Sequence, residues 1–412
     1  MQLVERHIIK KNHSFYNECD SLCFKSKNIY NLSLYKIKET IKDNKYEILN
    51  NLYHHIKNED CFSALPNKVS TETIRKIQII YKSFFASVKD YNKNPTKYKG
   101  SPKQPKFLHK IKGRFIVGYN NQALSIKEFK KTGKIKLSQT NISLTTKIKK
   151  FEDIAMVRII PRNSSYIIEI VYNKQEQPLQ NDNGKYCAID LGLENIATVT
   201  TNIKGNKPLL IKGSNLKNIN QYYNKILGKR KSILEKRNKK KKSKFLNKLT
   251  DKRNNKIDDY MHKASKYLVT YFRENNICKV YVGKNDGWKQ NINMGKVNNQ
   301  SFVSIPHNKF IEMLSYKCKL KGIEININEE SYTSKASFLD GDDIPKYNKI
   351  EAKSYKFSGK RVNRNLYISK EGKKINADVN ASYNILKKCV PSFSKERTEG
   401  FVVIPKIVKI LN

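Results

Sequence analysis

Two acids stand in surroundings that make an acid costly to keep. Asp190 interrupts the apolar run Tyr186-Cys187-Ala188-Ile189-Asp190-Leu191-Gly192. A carboxylate there is strongly destabilising unless a cation meets it. Asp378 lies in Ile375-Asn376-Ala377-Asp378-Val379-Asn380-Ala381, at the opening of an amphipathic helix, where the helix dipole favours negative charge. Each has a plain structural explanation: a salt bridge to a buried arginine for Asp190, and helix-start electrostatics for Asp378. With a third acid nearby they describe other chemistry. One strand-borne carboxylate, one from a late helix and one beside them can hold two Mg²⁺ ions about 4 Å apart for phosphodiester hydrolysis.

The elements that must position these acids follow from hydrophobic period. Residues 1–15 read as a strand, and Ser14–Lys45 as a helix in which Cys19 and Cys23 share a face as buried thiols rather than half a metal site. A second helix follows Pro66, with Ser70 as its expected N-cap and Ile74, Ile77, Tyr81, Phe84, Phe85 and Val88 as its apolar stripe. Residues 16–93 form a helical module, and 1–15 with 94–180 form a β-module expected to close into a barrel, as the alternation in Tyr166–Tyr172 indicates. After Gly184 the pattern turns α/β and continues to about residue 390, with a tail at 391–412 that docks or frays. Within it, residues 215–275 are helical. The stretch 215–256 carries 16 Lys/Arg, including Lys239, Lys240, Lys241, Lys242 and Arg253, against Glu235 and Asp251. A solvated charged hairpin describes its geometry; the density of cations favours phosphate contact. The fold class is thus α+β and multidomain.

Composition points the same way. Of 412 residues 82 are Lys or Arg and 36 Asp or Glu, a formal net charge of +46. Basic surfaces bind phosphates by counterion release without reading sequence, so the charge predicts a polyanionic partner and says nothing about catalysis. No run approaches the roughly 18 apolar residues of a membrane helix, and no signal-peptide core opens the chain. Seven scattered cysteines argue against a secreted disulfide framework. The expectation is a cytoplasmic protein with a polyanionic partner and no membrane partner.

Here the residues resemble a family. Ala188-Ile189-Asp190-Leu191-Gly192-Leu193-Glu194-Asn195-Ile196-Ala197 resembles the first RuvC motif of TnpB, the OrfB-type protein of bacterial insertion sequences. Asn376 to Leu386 looks like the third, and Ser331-Tyr332-Thr333-Ser334-Lys335 is similar to the Tyr-Thr-Ser element. Ser26–Asn31 and Leu65–Val69 resemble its helical recognition region. The likeness spans essentially the whole chain in order. It implies a wedge-like β-module with a helical insertion, then an RNase H-like RuvC domain. It also implies RNA-guided, Mg²⁺-dependent cleavage of double-stranded DNA beside a short flanking motif, with the guide RNA encoded near the transposon end.

Two departures from the family pattern matter. The second RuvC motif usually ends a strand like Val280-Tyr281-Val282 with glutamate, but the next residue here is Gly283. Either the site is dead, leaving an RNA-guided DNA-binding repressor, or the third acid comes from elsewhere. Glu329 and Glu330 end the next strand, which neighbours this one in the expected 3-2-1-4-5 sheet. Strands about 4.8 Å apart let a long side chain reach back. Relatives called Fanzors place a relocated glutamate three residues before the Thr-Ser pair, which selects Glu330 and leaves Glu329 in reserve. The implied catalytic and metal set is Asp190, Glu330 and Asp378.

The second departure is zinc. Residues 333–378 contain no cysteine, so the family's usual ribbon is absent and no zinc is expected. The acids Asp340, Asp342 and Asp343 read as a polar turn, and His262 and His307 as structural. Trp288 reads as a loop anchor in preference to a base-stacking ring, with Lys289 and Gln290 as nucleic-acid contacts.

Overall fold

The computed structural model describes residues 1–42, 48–238, 243–285, 304–347, 355–390, 392–393 and 403–410, in two compact units, Met1–Lys174 and Gln175–Asn412. The first unit holds β1 (Gln2–Lys10), α1 (Tyr16–Lys42), α2 (Ile48–Ile56), α3 (Asp60–Ser63), α4 (Asn67–Lys93), β2 (Val117–Asn120), α5 (Ile126–Thr132), β3 (Lys134–Lys136), β4 (Ser143–Thr145), β5 (Ile154–Pro161) and β6 (Ser165–Asn173). Its antiparallel sheet has the order β1-β6-β5-β2, and β3 pairs only with β4. The expected barrel is therefore an open sheet among the described residues, since its edges β1 and β2 do not meet. Helices cover the face a barrel would turn inward: Val117, Tyr119, Val157 and Ile159 share one core with Cys19, Cys23, Ile74, Ile77 and Tyr81. Both cysteines are fully buried. Ser70 does not cap α4, which starts three residues earlier; its buried hydroxyl instead donates to the Phe62 carbonyl at 2.7 Å.

The second unit holds β7 (Tyr186–Asp190), β8 (Asn195–Thr201), β9 (Leu209–Lys212), α6 (Ser214–Asn238), α7 (Lys244–Glu274), β10 (Lys279–Gly283), α8 (His307–Lys319), β11 (Glu324–Asn328), β12 (Lys360–Arg361), β13 (Leu366–Ile368), β14 (Lys374–Asn376), α9 (Ala377–Cys389) and β15 (Lys406–Val408). The main sheet runs β11-β10-β7-β8-β9-β15. Leaving β15 aside and reading from β9, the order β9-β8-β7-β10-β11 is the 3-2-1-4-5 order of the RNase H-like sheet that the resemblance implies. Strands β7, β10 and β11 are parallel, and β8 is antiparallel to both its neighbours. From the tail, residues 406–408 dock as a sixth strand parallel to β9. The change from the basic stretch 215–256 to residues 257–275 does not break the helix. Ile257, Tyr260, Met261, Ala264 and Leu268 keep helical spacing, so α7 runs unbroken from the basic hairpin into the core. Strands β12, β13 and β14 form a small sheet where a zinc ribbon stands in the family pattern. No helix among the described residues is long and apolar enough to cross a membrane.

Candidate active site

Strand parity aims the first acid. Cys187 and Ile189 pack into the core with α7 and α8, whereas Ala188 packs with Val379, Tyr383 and Ile385 of α9. Side chains alternate along a strand, so Asp190 shares the face of Ala188, on the side of α9. Strand β10 repeats the pattern. Val280 and Val282 enter the first core and Tyr281 packs against the second, which places Gly283 on the same face as Asp190. Val282 lies opposite Ile189, so Gly283 follows one step on, next to Asp190.

Asp378 sits in the first turn of α9, which Asn376 caps by accepting from the Asp378 and Val379 amides at 3.1 and 3.2 Å. Its Oδ2 accepts from Asn195 Nδ2 at 2.8 Å, and its Oδ1 from Arg361 Nη2 at 3.0 Å. The buried polar face of α9 locks this geometry. Ser382 Oγ reaches the Ala188 and Thr198 carbonyls, both at 3.1 Å. Asn380 Nδ2 donates to the Ala336 carbonyl at 2.8 Å, and Asn384 Nδ2 to the Thr333 carbonyl at 2.9 Å. None of Asn195, Asn380, Ser382, Asn384 or Arg361 stood out as a site residue in the sequence. The available signal was three polar residues at alternate positions in a helix otherwise apolar enough to be buried.

Glu330 lies two residues beyond Asn328, which pairs with Gly283. Its side chain occupies the space above that glycine: a Cβ at position 283 would stand 2.6 Å from Glu330 Oε2, 3.2 Å from its Cβ and 2.5 Å from Ile385 Cδ1. The space over Gly283 is therefore filled by the Glu330 side chain. The Glu330 backbone is pinned by Asn285 Oδ1, which accepts its amide at 3.0 Å, and by Thr333 Oγ1, which donates to its carbonyl at 2.8 Å. Its Oε2 is buried with no hydrogen-bond partner among the described residues. Glu329 turns elsewhere, with Lys388 and the Ser331 amide on its carboxylate. Desolvation pushes that carboxyl up, but these partners hold it below its usual range.

The acids sense one another. Desolvation, then the charges of Asp378 and Glu330, push the Asp190 carboxyl well above its ordinary range, against the pull of Arg361. Burial, then Glu329, pushes Glu330 up as well. Asp190 and Asp378 line a cavity of about 340 Å³ together with Glu194, Ser334, Arg361 and Arg364. Among the described residues no three His, Cys, Asp or Glu side chains form a ready metal set. The donor chemistry nevertheless fits a hard divalent cation. The oxygens are carboxylate, one is buried without a partner, and a guanidinium already neutralises part of the charge.

The other candidate residues fall outside this cluster. Arg253 lies between α6 and α7, and its guanidinium is engaged within the chain: Nε on Asn220 Oδ1 at 2.8 Å, Nη1 on Asn254 at 3.0 Å and Nη2 on the Ser304 carbonyl at 2.8 Å. That makes it a strut of the hairpin. Lys239, Lys240, Lys241, Lys242, Trp288, Lys289 and Gln290 lie outside the described residues. The acidic turn is structural, as its sequence suggested: Asp342 accepts from the Ser337 and Ser358 amides, and Asp340 from the Lys370 amide. His307 is buried with Nε2 3.1 Å from the Gly192 carbonyl, tying α8 to the turn after Asp190. In the first unit a polar cavity of about 560 Å³ is lined by Tyr53, Lys68, Thr71 and Arg75 on the helices, by Asn120 at the end of β2 and by Gln122 just after it.

Comparison with known proteins adds three findings. A family model described as a probable transposase of the OrfB IS605 type matches residues 169–289, and a Cas12f1-like TNB domain matches residues 307–385. A Cas12f1 solved with single-guide RNA and target DNA is 16% identical, covers 90% of this chain and 82% of its own, and superposes with a TM-score of 0.51, a likeness of fold. A CRISPR-Cas12f ternary complex (17% identity, 89% and 80% coverage) and Alicyclobacillus acidoterrestris C2c1 with single-guide RNA (8%, 91% and 70%) reach TM-scores of only 0.35 and 0.37. No curated protein matches the sequence.

Proposed function

We propose that the chain is a protein of the TnpB type, an RNA-guided, Mg²⁺-dependent endonuclease that cuts double-stranded DNA beside a short flanking motif. Its guide RNA would be encoded near the end of the insertion-sequence transposon that carries it. The observation that supports this most is Glu330 filling the space over Gly283, beside Asp190. Asp190, Glu330 and Asp378 are the residues that would hold the metal. Bound there, Mg²⁺ would supply an activated water and charge stabilisation at the leaving oxygen. Arg361 and Arg364 line the same cavity and suit the non-bridging oxygens of a phosphodiester. Asn195 fixes the rotamer of Asp378, and Asn285 and Thr333 fix the backbone of Glu330. The amide, hydroxyl and guanidinium groups around the first unit's cavity have the donors and acceptors needed to read base edges of a flanking motif.

A second reading, a nuclease-inactive RNA-guided DNA-binding repressor, is favoured by the hold of Arg361 on Asp378, which occupies a carboxylate oxygen that a metal would need. Plasmid cleavage separates the two, using protein co-expressed with its flanking RNA. The nuclease reading predicts Mg²⁺-dependent cutting that EDTA abolishes and that Asp190→Ala lacks. Guide-dependent binding without cutting in Mg²⁺ would establish the repressor.

A further inference from the structure

The basic hairpin contains a second cavity, of about 420 Å³, that shares no lining residue with the carboxylate cavity. That volume is near the lower end of the roughly 300–1,000 Å³ of small-ligand sites, enough for one ring system and too small for a duplex. Asn218, Ile219 and Tyr222 of α6 face Leu249, Lys252 and Lys256 of α7 across it, each set at the three- and four-residue spacing of one helix face.

Two adjacent tyrosines behave differently there. Tyr223 is fixed: its hydroxyl lies 3.1 Å from Thr250 Oγ1 and its ring lies 5.6 Å from the Arg253 guanidinium. Arg253 is itself held by Asn220, a residue only 3% exposed whose Nδ2 has no acceptor among the described residues. Tyr222 is 62% exposed and makes no hydrogen bond or ring contact among the described residues. Lys252 and Lys256 are exposed and form no ion pair among them. A rigid back wall, one uncommitted aromatic face and two unpaired cations are the parts of a stacking site beside a phosphate clamp. A phosphate alone would need the lysines and no ring.

We propose that this cavity receives one unpaired nucleobase of a bound single strand, stacked on Tyr222, with its phosphate held by Lys252 and Lys256. The proposal rests on the reading of the chain as a nucleic-acid-binding protein and adds a site to it. RNA and displaced DNA present the same chemistry, so the experiment carries both.

The test uses the full chain with a short oligouridine carrying 4-thiouridine, its deoxy counterpart carrying 4-thiothymidine, and an abasic oligomer of equal length. Ultraviolet cross-linking followed by peptide mapping is expected to place an adduct on Tyr222 or Tyr223. Whichever strand forms it is the source of the base. In anisotropy titrations Tyr222→Ala should weaken the base-bearing oligomer about fivefold or more and erase its advantage over the abasic one, while Tyr222→Phe retains both. Tyr222 is exposed, so the substitution leaves the core intact. Wild-type affinity in Tyr222→Ala, with adducts only outside residues 215–256, would overturn the base site and leave nucleic-acid binding standing. Failure of every oligomer to bind would instead overturn the underlying reading, and the site with it.

Discussion

Two regions of the second unit hold charge in opposite ways. At the ends of β7, β10 and β11 a few acids are confined by crossing hydrogen bonds: Asn195 on Asp378, Asn285 on the Glu330 amide, and Asn384 on the Thr333 carbonyl, with Thr333 bonded back to Glu330. On α6, Lys229, Arg230, Lys231, Lys236 and Arg237 stand exposed in solvent. Chemistry at one phosphorus needs donors fixed to fractions of an ångström, so its charges are buried and braced at a cost in stability. Holding a polyanion needs only the sum of many screened contacts, so its charges can stay mobile. Site residues should therefore be intolerant one by one, and the exposed cations of α6 interchangeable.

The largest expected effect comes from moving the acid. Glu330→Ala should lower the cleavage rate at least about a hundredfold. Adding Gly283→Glu to it should restore a substantial part, because Glu330 fills the space over Gly283. Gly283→Glu alone should be impaired, since its Cβ would stand 2.6 Å from Glu330 Oε2, a contact the double variant removes. No recovery in the double variant would mean that place is not the requirement. On the other side of the comparison, Lys231→Gln or Lys236→Gln should weaken nucleic-acid affinity alike across sequences. Each should lower the salt slope by about 0.7–0.9 and leave the saturated cleavage rate unchanged. A sequence-dependent effect would show that the hairpin is as specific as the site.

The smallest effect is on stability. Burial and repulsion raise Asp190, and burial raises Glu330. Above the usual carboxyl range of about 4 the unfolded chain gives up these protons while the folded chain keeps them. The metal-free fold therefore loses stability as pH rises through the raised values. In EDTA, Asp190→Asn should melt a few degrees above wild type at neutral pH and level with it near pH ~4. An identical offset at both values would contradict the charge argument.

The strands were legible because each is a short apolar run between clear turns, and their order followed from the resemblance to an RNase H-like domain. The sequence also placed Asp190 and Asp378, because an acid in an apolar strand or at a helix start stands out. The strand-neighbour argument reached Glu329 and Glu330 alike, and only the spacing to the Thr-Ser pair in the resembled family selected Glu330; in the fold they differ because Lys388, distant in sequence, takes Glu329. Barrel closure could not be read from alternation, because a helix can cover an apolar sheet face as well as a second sheet can. The N-cap at Ser70 was misplaced for a related reason. Its hydroxyl is buried against the carbonyl of Phe62, and Phe62 was not recognised as part of a helix. Arg361 was one cation among many until the small sheet brought it to Asp378.

The central claim, that Glu330 supplies the carboxylate Gly283 lacks, is tested most directly by titrating Mn²⁺ into the purified full-length protein by calorimetry. Wild type, Glu330→Gln and Glu329→Gln are compared at one pH. Glu329→Gln should bind as wild type, and Glu330→Gln should lose a site or bind at least about tenfold more weakly. Wild-type binding by Glu330→Gln, or a loss confined to Glu329→Gln, would contradict the account.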